Sequence, residues 1–336
     1  AQAVALQVRQ GPVLGGVSPG LGRQSRPFVQ ELHVSTPSPS LSSTAAEAAG
    51  RQDYPQGTLY MVATPIGNLA DIGLRALHVL GMADTVACED TRHTASLLTS
   101  YGLHKPLLAV HEHNEAEAAQ AVVQRLRDGQ RVAYVSDAGT PGVSDPGARL
   151  VDAVTAAGLR CVPVPGPSSV TALLSVAGHA GWDGRFVFMG FLSPKASERQ
   201  REVQAIAADA RACVLLEAPH RIEALARDLA ALGERQVTVG RELTKQFEEV
   251  ARVSAGELPD WLGANANRTR GEFVLVVHPQ AQASGDEDTL DAATLRALDL
   301  LLAELPLKSA VKLCAELTGA PRNAVYQAAL ARRGGD

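Results

Sequence analysis

From residue 58 onward the chain keeps two rhythms. Short apolar runs bounded by Gly, Pro, Asp or Asn read as buried strands. Longer stretches with apolar residues three and four apart read as helices. The pattern predicts strands over 58–62, 85–88, 107–110, 131–135 and 160–164. Between them fall a helix carrying Leu74, Leu77 and Leu80, with Asp71 as its cap, and helices over 94–101, 116–128 and 148–157. The alternation resumes with helix 170–177, strand 186–191, a charged helix over 198–208, strand 213–216, a helix to residue 232, strand 237–240 with 247–253 as a pairing partner, and strand 272–277. Strands alternating with helices predict an α/β fold of two domains, over 57–165 and 166–280. The first sheet is expected to be mostly parallel and doubly wound, the second mixed. An acidic linker over 281–288 leads to a helical module over 288–333, with two helices around Thr318-Gly319-Ala320-Pro321. That spacing suits a helix-turn-helix on nucleic acid, and equally a small bundle packing on the body or a second subunit. Residues 1–56, rich in Ser and Pro and without period, read as a disordered tail; their Arg, Ser and scarce acids also suit a transit peptide.

The rhythm breaks longest at Val-Ser-Asp-Ala-Gly-Thr-Pro-Gly-Val-Ser-Asp-Pro-Gly, 135–147. No packed element tolerates that density of Gly and Pro. The stretch is about twice as long as an ordinary strand–helix link. At a strand's carboxyl end, opening onto a helix, it is expected to be a ligand loop. Two more Gly/Pro loops lie at 64–68 and 165–169. None is a Walker loop, a GxGxxG fingerprint or a GxSxG elbow. Cys88, Cys161, Cys213 and Cys314 are scattered in apolar runs, and His111 and His113 read as polar loop residues, so no metal site is expected. The expected ligand is a small molecule clasped by backbone groups.

Composition narrows the class. The chain has 336 residues, 46% hydrophobic and 20% charged, with a net charge of -5. That is globular, and argues against binding nucleic acid by bulk positive charge while leaving room for a local basic patch. No apolar run is long enough for a membrane span. Scattered, buried Cys fit the reduced core of a cytoplasmic protein.

The motifs at 64–72 (Thr-Pro-Ile-Gly-Asn-Leu-Ala-Asp-Ile), 89–94 (Glu-Asp-Thr-Arg-His-Thr), 135–147, 165–169 (Pro-Gly-Pro-Ser-Ser) and 241–245 (Arg-Glu-Leu-Thr-Lys) together resemble the tetrapyrrole-methylase superfamily. They are most similar to its branch that methylates a ribose 2'-hydroxyl of small-subunit rRNA. The resemblance covers about 57–277 and extends to the terminal helices. It implies a homodimer with S-adenosylmethionine in a cleft between two α/β domains, and 16S rRNA in the small ribosomal subunit as substrate, methylated at a cytidine of the decoding region. Carried over by position, it puts Pro65 and Gly67 beside the cofactor. Ala138, Gly139, Thr140 and Val143 would bracket its methionine end, with Ser168 and Ser169 nearby and Leu216 and Glu217 on the adenosine side. Porphyrin-type relatives carry GxGPGD at the first loop, where this chain has Thr64-Pro65-Ile66-Gly67-Asn68. This favours the RNA branch over the alternative, a porphyrinogen or precorrin methyltransferase. A third reading, a helix-turn-helix regulator with a ligand-sensing body, stays open on the residues alone. Strand-end loops offer Glu89, Asp90, His220 and Lys245 as candidate general bases, and Arg92, His93, Lys195 and Arg221 as candidate RNA contacts. Arg199, Arg201 and Arg241 are further candidates for phosphate.

Overall fold

The computed structural model describes residues 40–111, 114–145, 147–178, 182–280, 290 and 292–333. The expected tail as far as residue 39, the linker over 281–288, and His113 lie outside them. The first element is a helix, α1 (Leu41–Ala49), started by Ser40, whose Oγ accepts the N–H of Ser43 at 3.2 Å. It packs on α2 (Leu74–Met82), burying Ala45 and Ala49, and the Tyr54 hydroxyl donates to Ala49 O at 3.0 Å. The expectation of a disordered tail up to residue 56 is therefore corrected: residues from 41 onward belong to the first domain. The contact rests on alanines, so no large apolar period marked it. Asp71 is also not the cap of α2. It ends a short 3-10 turn over 69–71 capped by Asn68, and α2 starts at Gly73 without a side-chain cap.

The strands β1 (Thr58–Val62), β2 (Thr85–Cys88), β3 (Leu107–Ala109), β4 (Val132–Val135) and β5 (Arg160–Val164) form one parallel sheet in the order β3-β2-β4-β1-β5. Alternation along each strand feeds two layers. Tyr60, Val62, Val86 and Val135 pack with α2 and with Leu98 of α3 (Thr91–Ser100). Leu59, Val132 and Tyr134 pack with α4 (Glu115–Arg127) and α5 (Gly147–Ala156). After β1 the chain turns toward β2, whereas after β4 it turns toward β5. The strand order thus reverses between the adjacent β1 and β4, and a crevice opens beyond their carboxyl ends.

The second sheet, β6-β7-β10-β8-β9, contains β6 (Phe186–Phe191), β7 (Ala212–Glu217), β8 (Gln236–Arg241), β9 (Glu249–Ser254) and β10 (Phe273–Val277). Only β6 and β7 run parallel; β10 and β9 pair antiparallel with their neighbours. One face is buried by α7 (Ala196–Ala208), α8 (Ile222–Leu229) and α9 (Leu258–Gly263). The other is buried by α6 (Ser169–Val176), through Val170 and Leu173. The terminal helices α10 (Ala292–Glu304), α11 (Leu307–Thr318) and α12 (Arg322–Arg333) bury Leu298, Val311, Cys314, Val325 and Ala329 among themselves.

One buried guanidinium ties the far end of the second domain together. Arg235 donates to His278 O (2.6 Å), Ile206 O (2.6 Å), Ala207 O (3.4 Å), Asp209 O (3.0 Å) and Arg211 O (3.3 Å). It joins carbonyls at the end of α7, where Ile206 O also accepts the Asp209 N–H, to those of Arg211 before β7 and His278 after β10. Arg235→Met should strand several buried carbonyls and lower stability by about 3 kcal/mol. Urea unfolding checks this: the midpoint should fall with little change in slope.

Candidate functional site

The two loops at the switch point are joined directly. Thr64 N donates to Gly139 O at 2.9 Å, and Gly139 N donates to Thr64 O at 3.1 Å. Gly139 sits at φ +81, a region costly for any residue with a Cβ, and an added Cβ would come within 3.2 Å of Ile66 Cγ2. Thr140 Oγ1 reaches across to Pro167 O at 3.0 Å, so the third Gly/Pro loop is pinned to the same point. Asp145 holds the rest of the central loop, accepting the N–H of Gly142 (2.7 Å) and of Gly147 (2.9 Å). Ile66 leaves the first domain and packs against the second, beside Val170, Leu173 and Leu243.

A cavity of about 410 Å³ opens there. This falls within the range of small-molecule sites, about 300–1,000 Å³. Ala138, Gly139, Thr140 and Val143 line one wall, Ser168 and Ser169 the next, and Leu216 and Glu217 the far side. Its charge is one-sided. Glu89, Asp137, Asp145, Glu217 and Glu272 line it, and no Lys, Arg or His does among the described residues. Such a lining suits a ligand carrying positive charge and disfavours a polyanion inside it. The Glu217 side chain is fully buried. Its Oε1 accepts Ala218 N at 2.9 Å and lies 3.0 Å from Arg221 Nε. Burial pushes its carboxyl above the usual range, against the opposing pull of the Ala218 N–H and Arg221.

The first loop reaches the cavity through Ile66 rather than through the residues on either side of it. Pro65 is buried, and Gly67 lies under the stem of Lys245, whose Cγ would be 2.3 Å from an added Cβ. The four candidate bases part company. Glu89 lines the cavity; Asp90, His220 and Lys245 do not. Asp90 caps α3, accepting Arg92 N at 2.8 Å and His93 N at 3.4 Å. Hydrogen bonds from Arg92 hold its carboxyl below the usual range. Lys245 donates to Glu242 (2.8 Å) and Glu272 (3.1 Å). Partial burial pulls its pKa down, but the two carboxylates outweigh it and hold the ammonium protonated. It is held as a loop clamp outside the cavity lining.

The cationic candidates divide in the same way. Arg92 and Lys195 are exposed, at 91% and 74% of their side chains, and His93 is exposed on the first turn of α3. Arg221 instead braces the second domain, donating from Nη2 to Leu192 O beside Glu217. Arg199 is buried against Asp228 (2.6 Å), and Arg241 against Glu249 (3.3 Å). These three are structural ion pairs and are removed from the phosphate contacts expected above. Sequence reasoning missed Phe191 and Glu272 to Val274, all on the cavity wall. β10 is antiparallel to its neighbours, so its amino end lies where a search of strand carboxyl ends does not look.

Comparison with known proteins shows the chain's family. Residues 58–259 match the model of the Tetrapyrrole (Corrin/Porphyrin) Methylases, and residues 288–333 match the RsmI C-terminal HTH domain. The chain is 49% identical over 281 residues to the Ribosomal RNA small subunit methyltransferase I of Pseudomonas aeruginosa, covering 83% of this chain and 98% of that protein. It is 45% identical over 284 residues to the protein of that name from Escherichia coli O157:H7, covering 84% and 98%. It is 49% identical over 275 residues to that of Neisseria meningitidis serogroup A, covering 82% and 93%.

Gly139 combines a left-handed backbone with a close side-chain neighbour. Gly139→Ala should cost about 1–2 kcal/mol through its backbone conformation alone, and Gly139→Val more, because the branched side chain meets Ile66. Urea denaturation of both variants checks the order.

Proposed function

The chain belongs to the tetrapyrrole (corrin/porphyrin) methylase family, among the ribosomal RNA small subunit methyltransferase I proteins, and we propose that it transfers a methyl group from S-adenosylmethionine to 16S rRNA. The acceptor in this reading is the ribose 2'-hydroxyl of a cytidine in the decoding region of the small subunit, and the enzyme acts as a homodimer in the cytoplasm. No helix among the described residues is long and apolar enough to cross a membrane. The observation that carries the reading is a match to rRNA methyltransferases along 98% of their length, including the terminal helices.

The cavity supports the choice of donor. When bound, S-adenosylmethionine supplies a methyl group already activated by a positively charged sulfur. The acidic lining stabilises such a cation. Ala138, Gly139 and Thr140, with Ser168 and Ser169 on the next wall, would hold the cofactor's methionine end. Leu216 and Glu217 would flank the adenosine. The protein's main task is then alignment: holding the acceptor oxygen, methyl carbon and sulfur in line. The acceptor proton needs a base only late in the displacement. Of the four candidates, Glu89 has the cavity position for it. Outside the cavity, Arg92, His93 and Lys195 are the exposed groups that would meet phosphate. The same acidic lining opposes a substrate bearing several carboxylates, which weighs against the tetrapyrrole alternative.

Incubating the purified protein with methyl-labelled cofactor and 30S subunits from a strain lacking it tests the reading. Label should map to one cytidine ribose of 16S rRNA; label on a base, or none, would reject it. Arg92→Ala and Lys195→Ala should weaken binding to the subunit and leave cofactor affinity unchanged. Each lost phosphate contact should flatten the dependence of log K on log salt by about 0.7–0.9. A filter-binding titration across salt concentrations measures that slope.

A further inference from the structure

The edge strand β6 carries an apolar strip that the fold leaves open. Phe186, Phe188 and Phe191 are 42%, 36% and 52% exposed. Strict alternation would put Phe191 on the opposite face from the other two. The register with β7 slips between Phe188 and Gly190, so Phe186, Phe188 and Phe191 pair with Ala212, Val214 and Leu216. These partners share one face, and Gly190 at φ +65 allows the bulge. Val187 and Met189 lie in the other layer, as plain alternation requires. Val170 and Leu173 of α6 pack with Ala212 and Val214 on this face, in a cluster that does not include the three rings. Phe191 lines the cavity, and the strip runs outward from it. An exposed cation stands beyond each end: Arg185 precedes Phe186, and Lys195 follows Phe191, with 78% and 74% of their side chains exposed.

We propose that the phenylalanine strip of β6 is a stacking platform for unpaired nucleobases, along which RNA enters and presents a ribose to the cavity at Phe191. This rests on the reading of the chain as an rRNA methyltransferase. Three features select RNA as occupant: continuity with the cavity, aromatic rather than aliphatic side chains, and flanking cations for the backbone. Phe186 and Phe188 stand about 7 Å apart along the strand, roughly twice the 3.4 Å repeat of a stacked strand. A base on each ring therefore requires single-stranded, opened RNA.

The test uses the full chain with Phe188→Leu, which keeps apolar bulk, and Phe188→Trp, which keeps a ring and adds a fluorophore. Phe188→Leu should raise KM for 30S subunits about tenfold, with kcat, S-adenosylhomocysteine affinity and sedimentation mass unchanged. Phe188→Trp should retain KM, and an unpaired RNA oligonucleotide should quench its added emission relative to the unsubstituted protein. An unchanged KM in Phe188→Leu would overturn the proposal. So would a fall in sedimentation mass, which would assign the strip to a second copy of the chain. Quenching is read without turnover. Failure of methyl transfer by the unsubstituted protein would therefore count against the functional reading, and absence of quenching against the platform.

Discussion

The pair of hydrogen bonds between Thr64 and Gly139 is the constraint on which the site depends. It closes the loops after β1 and β4 on each other at the one place where the parallel sheet reverses its strand order. The bonds require the backbone of Gly139 to hold a left-handed conformation, with Ile66 against its bare Cα. With that loop fixed, Thr140 pins the Pro165–Ser169 segment and Ile66 is delivered to the core of the second domain. The cavity is therefore bounded by groups from both domains: loops joined at Gly139 on one side, and strand ends of the second sheet on the other. A loop this rich in Gly and Pro would have a high conformational entropy if left free. Here Asp145 and Thr140 restrain it through short hydrogen bonds, so a ligand meets a surface already formed.

Charge divides the protein's labour. Among the described residues carboxylates line the cavity and no cationic side chain does, although Arg221 and Lys245 pair with Glu217 and Glu272 behind its wall, whereas Arg92 and Lys195 lie outside it and exposed. A net charge of -5 gives no general attraction for nucleic acid, so the grip on RNA must be local. In the proposed reading a cationic donor would meet the carboxylates of the cavity, and the phosphates of the acceptor strand would meet the exposed cations outside it, with only the reacting ribose entering. Lys245 shows the same economy of charge. It is enclosed by Glu242 and Glu272, so its positive charge fastens the 242–245 loop instead of entering the cavity.

Most of the architecture was legible because strand runs and Gly/Pro loops are local signals. The central loop announced itself by composition, and its neighbours at 168–169 and 216–217 reach the same cavity. The failures share a physical origin in tertiary context. α1 was hidden because its contact face consists of alanines, which carry no hydrophobic period. Arg199, Arg221 and Arg241 resembled surface cations, but only the fold reveals the carboxylates and carbonyls that occupy them. Phe191 was overlooked because a bulge, invisible in the alternation of its strand, turns it to the cavity side. Glu272 and Val274 were missed because an antiparallel strand brings its amino end to the site.

In the proposed reading the methyl donor binds in the space between the two sheets, closed by the 136–145 loop. A crystal structure of the protein with S-adenosylhomocysteine tests it most directly. The ligand should lie in the cavity, its sulfur beside the backbone of Ala138–Thr140 and its adenosine toward Leu216 and Glu217. Density for the ligand elsewhere, with this cavity left unfilled at saturating concentration, would contradict it.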